Sequence, residues 1–571
     1  MRRPAPALVR LSALLALGVA AVLAARGAAD APPPPAGSPA SVPTPSRRDL
    51  GDLIVLEVSG SYAEMGRQQA ELLGDDLRRV LDWQGADHAR AVSRGGVTAW
   101  AMDAALIPLW SGIGGAFEDS HFHEELAGMA EGLGVTRRDV MRALLALGGG
   151  STVFAATRGA TADGEALIGR NVDWDDALGR RRPLVVHARP TNGDLAHVYA
   201  GWPLSGLPTV GVNEAGFALS FNYFETDPQV GLMLPQWPHR RALQVARSVE
   251  DGIRIFLDAR ERGISTFMVM ADAAGAIAMV ECKPDACAVF RPDGEWFAQA
   301  NHARTPEMKP FDRYRSPDSF DRLAGMERAV ERALAAGRLT PEAAAEILRD
   351  RSTHPWPNAS NVANLAVLNA AVVHPASRTL WHATTMQPVA PFGAYAGFSA
   401  RPGADPPRTL PASPLLASDA LARERAAVGE ARGALHALAG ERWAEAQRSL
   451  DALRAATPPI LDPVRLAAGA GYARLRQGDC AGAHETLASG AAEGAPVDVR
   501  VQALSLQALC ADRLGRREEA VALHRALLEL VAAHPEWNVF EPFAALAREG
   551  VERSVAGREP VVSTYVLRLP Y

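Results

Sequence analysis

Ser151 follows three glycines, Gly148 to Gly150, and opens an apolar run that continues through Thr152, Val153, Phe154, Ala155 and Ala156. A small nucleophilic side chain at a flexible Gly–Ser bond allows one particular chemistry. If the Gly150–Ser151 bond breaks, Ser151 gains a free α-amine that can serve as general base for its own hydroxyl. An amine of that kind has an unperturbed pKa of about 7.7–8.0, suited to accepting a proton near neutral pH. The next apolar run ends in Arg170-Asn171-Val172-Asp173-Trp174, which adds a cation and a carboxylate. Taken singly, each has a plainer explanation: a Gly-rich loop leading into a strand, and a buried structural ion pair.

Together the two stretches resemble the N-terminal-nucleophile hydrolases. The nearest resemblance is to the acyl-coenzyme A:6-aminopenicillanic acid acyltransferase family and the related choloylglycine hydrolases. In those families a Cys opens a run similar to residues 151–156, and a Gly-Arg-Asn-x-Asp-Trp motif follows. Gly169 to Trp174 matches that second motif, while Ser151 stands where the family has Cys. Further segments resemble the family in the same order. Asn213-Glu214-Ala215-Gly216 precedes a run ending in Phe221-Asn222-Tyr223; Ala300-Asn301-His302 follows, then Asp318-Ser319-Phe320-Asp321-Arg322. The resemblance covers about residues 50–400. It implies a catalytic set of Ser151, Arg170, Asp173, Asn222, Asn301 and Arg322, with self-cleavage between Gly150 and Ser151. In that set Ser151 is the nucleophile, Asn222 an oxyanion donor, Asp173 the partner of the α-ammonium group and Arg170 its support. Asn301 meets the α-amine or the substrate, and Arg322 braces the site from a helix. Serine is harder to ionise than cysteine and so depends more on its base.

The elements that must position these residues are legible as hydrophobic patterns. Leu53–Val58 reads as a strand. Ser61 and Glu64 form a capping box that starts a helical region reaching about residue 147. Strand patterns then cover Ser151–Ala156, Ala166–Val172, Pro183–Ala188, His197–Gly201, Thr209–Val212 and Phe217–Tyr223. They continue at Phe267–Met270, Ile277–Glu281, Ala288–Arg291 and Trp296–Gln299. Helix returns over Asp318–Arg349, with a start signal at Thr340-Pro341-Glu342. A hairpin of Ala366–His374 and Thr379–Thr384 closes the series. Strands framed by helices suit two sheets between helical layers, and the family resemblance implies an α+β, four-layer αββα sandwich over residues 49–400.

A Pro/Gly-rich linker is expected at 401–414. Beyond it, residues 415–571 are helical, with Gly440, Gly478 and Gly515 separated by 38 and 37 residues (478 − 440, 515 − 478). That period, with small residues after each Gly, predicts an all-α domain of tetratricopeptide-like repeats. An ordinary helical bundle is the competing reading.

The chain's 571 residues are enough for two domains with a sizeable core. Its net charge of −6 gives no reason to expect nucleic acid as a partner. Arg2, Arg3 and Arg10 precede an uncharged run from Leu11 to Ala25 and then small residues. This pattern reads as a signal peptide over 1–31, followed by a Pro/Ala-rich tether over 32–48. The chain is therefore expected outside the cytoplasm, periplasmic or extracellular, and at a membrane only if the first segment stays uncleaved. Export permits disulfides. The four cysteines form two local candidate pairs, Cys282 with Cys287 and Cys480 with Cys510, the second equally readable as free thiols. His121-Phe122-His123-Glu124-Glu125 reads as a helix face and not as a metal site. No phosphate-binding loop or dinucleotide fingerprint occurs, and no cofactor is implied. The expected ligand is a small-molecule amide or acyl substrate, with a peptide or protein as a further candidate partner for the repeats. Two other functions compete with the amidase: an inactive binding protein that uses the repeats, and an ester or lipid acyl hydrolase.

Overall fold

A computed structural model describes residues 44–93, 107, 121–144, 150–173, 181–226, 237–259 and 265–562. The signal segment, most of the expected tether, Gly148, Gly149 and Trp174 lie outside these residues.

Among the described residues, fifteen strands form two sheets. The strands are β1 (Ser46–Leu50), β2 (Leu53–Gly60), β3 (Gly150–Ala156), β4 (Leu167–Asp173), β5 (Leu184–Pro190), β6 (His197–Gly201), β7 (Val210–Asn213) and β8 (Phe217–Tyr223). They continue with β9 (Thr266–Asp272), β10 (Ile277–Lys283), β11 (Ala286–Phe290), β12 (Trp296–Gln299), β13 (Val367–His374), β14 (Thr379–Ala383) and β15 (Tyr395–Ser399). One sheet runs β1-β2-β5-β6-β7-β8-β9-β10-β11, the other β12-β3-β4-β13-β14-β15.

Alternation along the strands gives each sheet two buried faces. Val153 and Ala155 of β3 and Ile168 of β4 pack with Val198, Val212, Ala218 and Val269 between the sheets. The opposite face of the first sheet is covered by α1 (Tyr62–Ser93), α2 (Phe122–Leu133), α3 (Arg137–Leu144), α4 (Trp237–Val245) and α5 (Val249–Asp258). Phe154 and Ala156 on the opposite face of the second sheet pack against α6 (Pro317–Ala336) and α7 (Pro341–Leu348). The domain is thus a mixed α/β fold of two stacked sheets with helices outside.

Several boundaries differ from the sequence reading, each for a local reason. The tether expected to reach residue 48 gives way to β1 at Ser46, which pairs antiparallel with β2; Arg47 anchors it through Asp49 and Asp76 at 3.0 and 2.9 Å. The linker expected at 401–414 is pinned at Leu410, which is buried and exchanges backbone hydrogen bonds with Tyr395. The helical region after residue 61 breaks at Gly134, whose φ of 67° makes the left-handed cap that ends α2. Helices α4 and α5 and strand β15 have no counterpart in the sequence reading.

Past residue 415 the chain folds into α8 (Asp419–Ala439), α9 (Trp443–Arg454), α10 (Pro463–Arg476), α11 (Cys480–Ala491), α12 (Val497–Arg513), α13 (Arg517–Ala532) and α14 (Glu541–Glu552). The three periodic glycines sit at the turns α8/α9, α10/α11 and α12/α13. Ala446, Ala483 and Ala520, at equivalent places in the second helix of each pair, are fully buried. Among the described residues, no helix is long and apolar enough to cross a membrane.

The Cys282–Cys287 disulfide joins directly paired residues of β10 and β11. The second candidate pair is not bonded: Cys480 and Cys510 are free, buried thiols on adjacent helices. Burial pushes the Cys510 thiol up to about 12, which keeps it protonated and inert.

Candidate active site

The site lies where β3 begins. In the β3–β4 ladder Gly150 pairs with Asp173 and Ser151 with Val172. Successive residues of a strand point to opposite faces. Ser151, two positions before Val153, therefore faces the other sheet, while Thr152 faces α6. A Cβ on residue 150 would lie 3.2 Å from both Arg322 Nη2 and Asp173 Oδ2. Any side chain there would press on that ion pair.

Asn301 follows β12, the strand that pairs with β3. Its Oδ1 accepts the Ser151 backbone N–H at 2.8 Å and Arg322 Nη2 at 2.9 Å. Its Nδ2 donates to the Tyr223 carbonyl at 2.6 Å and reaches Ser151 Oγ at 3.5 Å. Its own backbone N–H is tied to Ser319 Oγ at 2.8 Å, which His302 Nδ1 shares at 2.8 Å. Asn222, fully buried at the end of β8, brings Nδ2 to 3.4 Å from the Ser151 carbonyl oxygen and 3.3 Å from that of Ala300.

Arg322 of α6 is the hub. Nη1 donates to the Ser151 carbonyl at 2.9 Å and to Thr152 Oγ1 at 2.8 Å, and lies 3.2 Å from Asp173 Oδ2. Nη2 meets Asp318 at 3.3 Å. Arg322, Asp173 and Asp318 are all buried. Burial pushes the Asp173 carboxyl up, and the Arg322 charge opposes that rise.

Of the six residues implied by the resemblance, Ser151, Asp173, Asn222, Asn301 and Arg322 come together. Arg170 departs from its expected role. Three positions apart on one strand, Arg170 and Asp173 lie on opposite faces of β4. Arg170 is buried between the sheets and donates to the Thr209 carbonyl at 2.7 Å, while Arg322 holds the salt bridge to Asp173. Burial pushes the Arg170 guanidinium down to about 9, with Asp173 opposing.

Sequence reading quoted Asp318 and Thr152 only as parts of motifs, with no role of their own, and did not single out Asn369. A bulge sets Leu368 and Asn369 of β13 opposite Val172, so Asn369 shares a sheet face with Val172 and Ser151. It is buried, and neither end of its amide has a hydrogen-bond partner among the described residues. A bulge has no local sequence signal.

Among the described residues, Ser151 Oγ meets no imidazole, carboxylate or lysine at hydrogen-bond distance; Asn301 is its neighbour. Asparagine accepts no proton. The arrangement can therefore hold a hydroxyl, its own backbone nitrogen and amide donors for a developing oxyanion, but it supplies no separate side-chain base.

Residues 160–385 match the family model of acyl-coenzyme A:6-aminopenicillanic acid acyl-transferase. The resemblance read from the motifs is thereby shown over that span, which holds Arg170, Asp173, Asn222, Asn301 and Arg322. Ser151 precedes it. Similar solved structures include a Caenorhabditis elegans ortholog of N-acylethanolamine-hydrolyzing acid amidase, 15% identical. That match covers 39% of this chain and 93% of the other, with a TM-score of 0.30. Two variants of the conjugated bile acid hydrolase from Clostridium perfringens are 12% identical, with TM-scores of 0.28 and 0.29. Each covers 41% of this chain and 88% of its own. No match was found among curated proteins. At family level the matched segment supports acyl-transfer chemistry.

Proposed function

We propose that this chain is an exported, self-processing N-terminal-nucleophile hydrolase that cleaves linear amides through a seryl acyl-enzyme. The observation that carries the reading is the setting of Ser151: its nitrogen is held by Asn301 Oδ1, its carbonyl by Arg322 and Asn222, and among the described residues no side-chain base reaches its hydroxyl. A free α-amine would supply the base that is missing.

In maturation, Ser151 Oγ attacks the Gly150 carbonyl carbon. The Gly150–Ser151 C–N bond breaks, an ester forms, and the hydroxyl proton passes to the departing Ser151 nitrogen. Water then hydrolyses the ester, leaving a Gly150 carboxylate and Ser151 with a free hydroxyl and α-amine. In turnover the α-amine takes the Oγ proton as Oγ bonds to the substrate acyl carbon. Asn222 Nδ2 and a backbone N–H hold the oxyanion, and the amine hands its proton to the leaving nitrogen. Water attacks the acyl-enzyme with the α-amine again as base, and the carboxylic acid departs. Asn301 keeps the amine in place, and the Asp173–Arg322 pair sets the charge around it.

The N-terminal pattern supports export, and the glycine period with its helix pairs supports tetratricopeptide-like repeats after residue 415.

The test is intact mass and N-terminal sequencing of the purified protein beside Ser151→Ala, followed by a panel of linear amides and matched esters. A new N-terminus at Ser151, absent from the variant, together with amide turnover is the expected result. An uncut wild-type chain removes the base and overturns the mechanism; turnover of the esters alone transfers the site to an esterase.

A further inference from the structure

Three links join the C-terminal helical region to the segments that carry the residues framing Ser151. The first is made by Asn538, in the short turn between α13 and α14. Its Nδ2 donates to the Asp312 carbonyl at 2.9 Å, and its Oδ1 accepts the Arg315 N–H at 2.7 Å. These bonds clasp the loop that leads into α6. The carboxylate of the same Asp312 accepts the Ala303 N–H at 2.7 Å, two residues past Asn301.

The second contact is electrostatic. Arg465 of α10 is buried, pairs with Asp498 at 2.6 Å, and is also acted on by the charge of Asp318. Asp318 is the carboxylate that shares Arg322 with Asp173. The third is apolar. Leu365, 1% exposed, belongs to the core formed by Val428, Ala431 and Leu466 of the helical region. Two residues further on, Val367 of β13 pairs with Asp173 of β4.

These links converge on three supports of one site: the Asn301 loop, the loop that leads into the Arg322 helix, and the strand β13 that pairs with Asp173. We infer that the helical region is part of the catalytic unit, and that Asn538, Arg465 and Leu365 are positioning residues for the frame around Ser151. The inference rests on the reading of Ser151 as nucleophile. It assigns the helical region an internal role: it holds Asn301 and Arg322 at the distances self-cleavage requires. Small misplacements of reacting groups are costly, on the order of 10²-fold for about 1 Å.

The experiment uses the full chain with Asn538→Ala, Arg465→Met and Arg465→Lys, and with Glu445→Ala at an exposed ion pair of α9 as control. Three quantities are followed: the rate at which the Ser151 N-terminus appears, amide exchange at residues 301–303, and the thermal midpoint. Asn538→Ala and Arg465→Met are expected to slow cleavage about tenfold or more and to speed exchange at 301–303. Arg465→Lys should recover most of the rate, and Glu445→Ala should match wild type. Asn538 is only partly buried, so its variant decides the question if Arg465→Met unfolds. Unchanged cleavage and unchanged exchange in Asn538→Ala, with Ser151→Ala uncut, overturn the inference. If wild type itself stays uncut, the self-processing reading falls and exchange alone decides: faster exchange in Asn538→Ala upholds the coupling, and unchanged exchange overturns it.

Discussion

Removing the Arg322 guanidinium strips the charge partner from two buried carboxylates at once, Asp173 and Asp318. Breaking a buried pair typically costs about 3–5 kcal/mol because an uncompensated charge stays behind. Arg322→Met is expected to lose stability in that range in urea titration, and to stop cleavage at Ser151. A variant as stable as wild type would remove Arg322 from the centre of the site. Asn222 belongs to a different class, since among the described residues its side chain donates to backbone carbonyls alone. Asn222→Ala should fold normally and lower kcat by about 10²–10³, the usual worth of one oxyanion donor. A loss confined to KM would instead make it a substrate-binding group.

At the scale of elements, the turns of the helical region can be tested one by one. Gly478 and Gly515 take φ of 85° and 74°, a conformation that costs other residues about 1–2 kcal/mol. At the equivalent α8/α9 turn, Gly440 has φ of −89° and Glu441 takes the left-handed place at 58°. Glu441→Gly should therefore raise the thermal midpoint, whereas Gly478→Ala lowers it. Equal effects at the two sites would mean that the left-handed residue does not limit these turns. The glycine period was visible in the sequence because each turn needs a residue free of the Cβ restriction nearby. The shift from 440 to 441 was not, since either residue of the pair can take that conformation.

At the scale of the molecule, burial makes stability depend on acid. His197 and His382 are pushed down to about 4, and His302 to about 3, in each case chiefly by burial. All three are under one-tenth exposed. In the unfolded chain they take up protons from about pH 6.5 downward; in the folded chain they stay neutral until about pH 4. Over that window these three rings together bind up to three more protons in the unfolded state, so the stability they contribute falls as pH falls. Urea midpoints should hold above pH 7 and drop steadily from pH 6.5 to 4. A flat profile would show that these rings are solvated or charged in the fold.

What the sequence determined by itself was whatever rests on local pattern: the strands with period two, the helix starts marked by Ser61 and Thr340, the hairpin disulfide, and the motif carrying Arg170 and Asp173. Tertiary structure decided which of those groups meet. Ser151, Asn222, Asn301 and Arg322 are separated by up to 171 positions. They meet because β12 pairs with β3, β8 lies against β3 from the other sheet, and α6 packs on the outer face. The motif spacing suggested an Arg170–Asp173 pair; strand alternation sends the two side chains to opposite faces and gives Asp173 to Arg322. The same holds for Asn538 and Leu365, which no motif marks. A hydrogen bond or an apolar contact is specified by the path of the backbone between distant elements, and that path is fixed only when the sheets and helices pack.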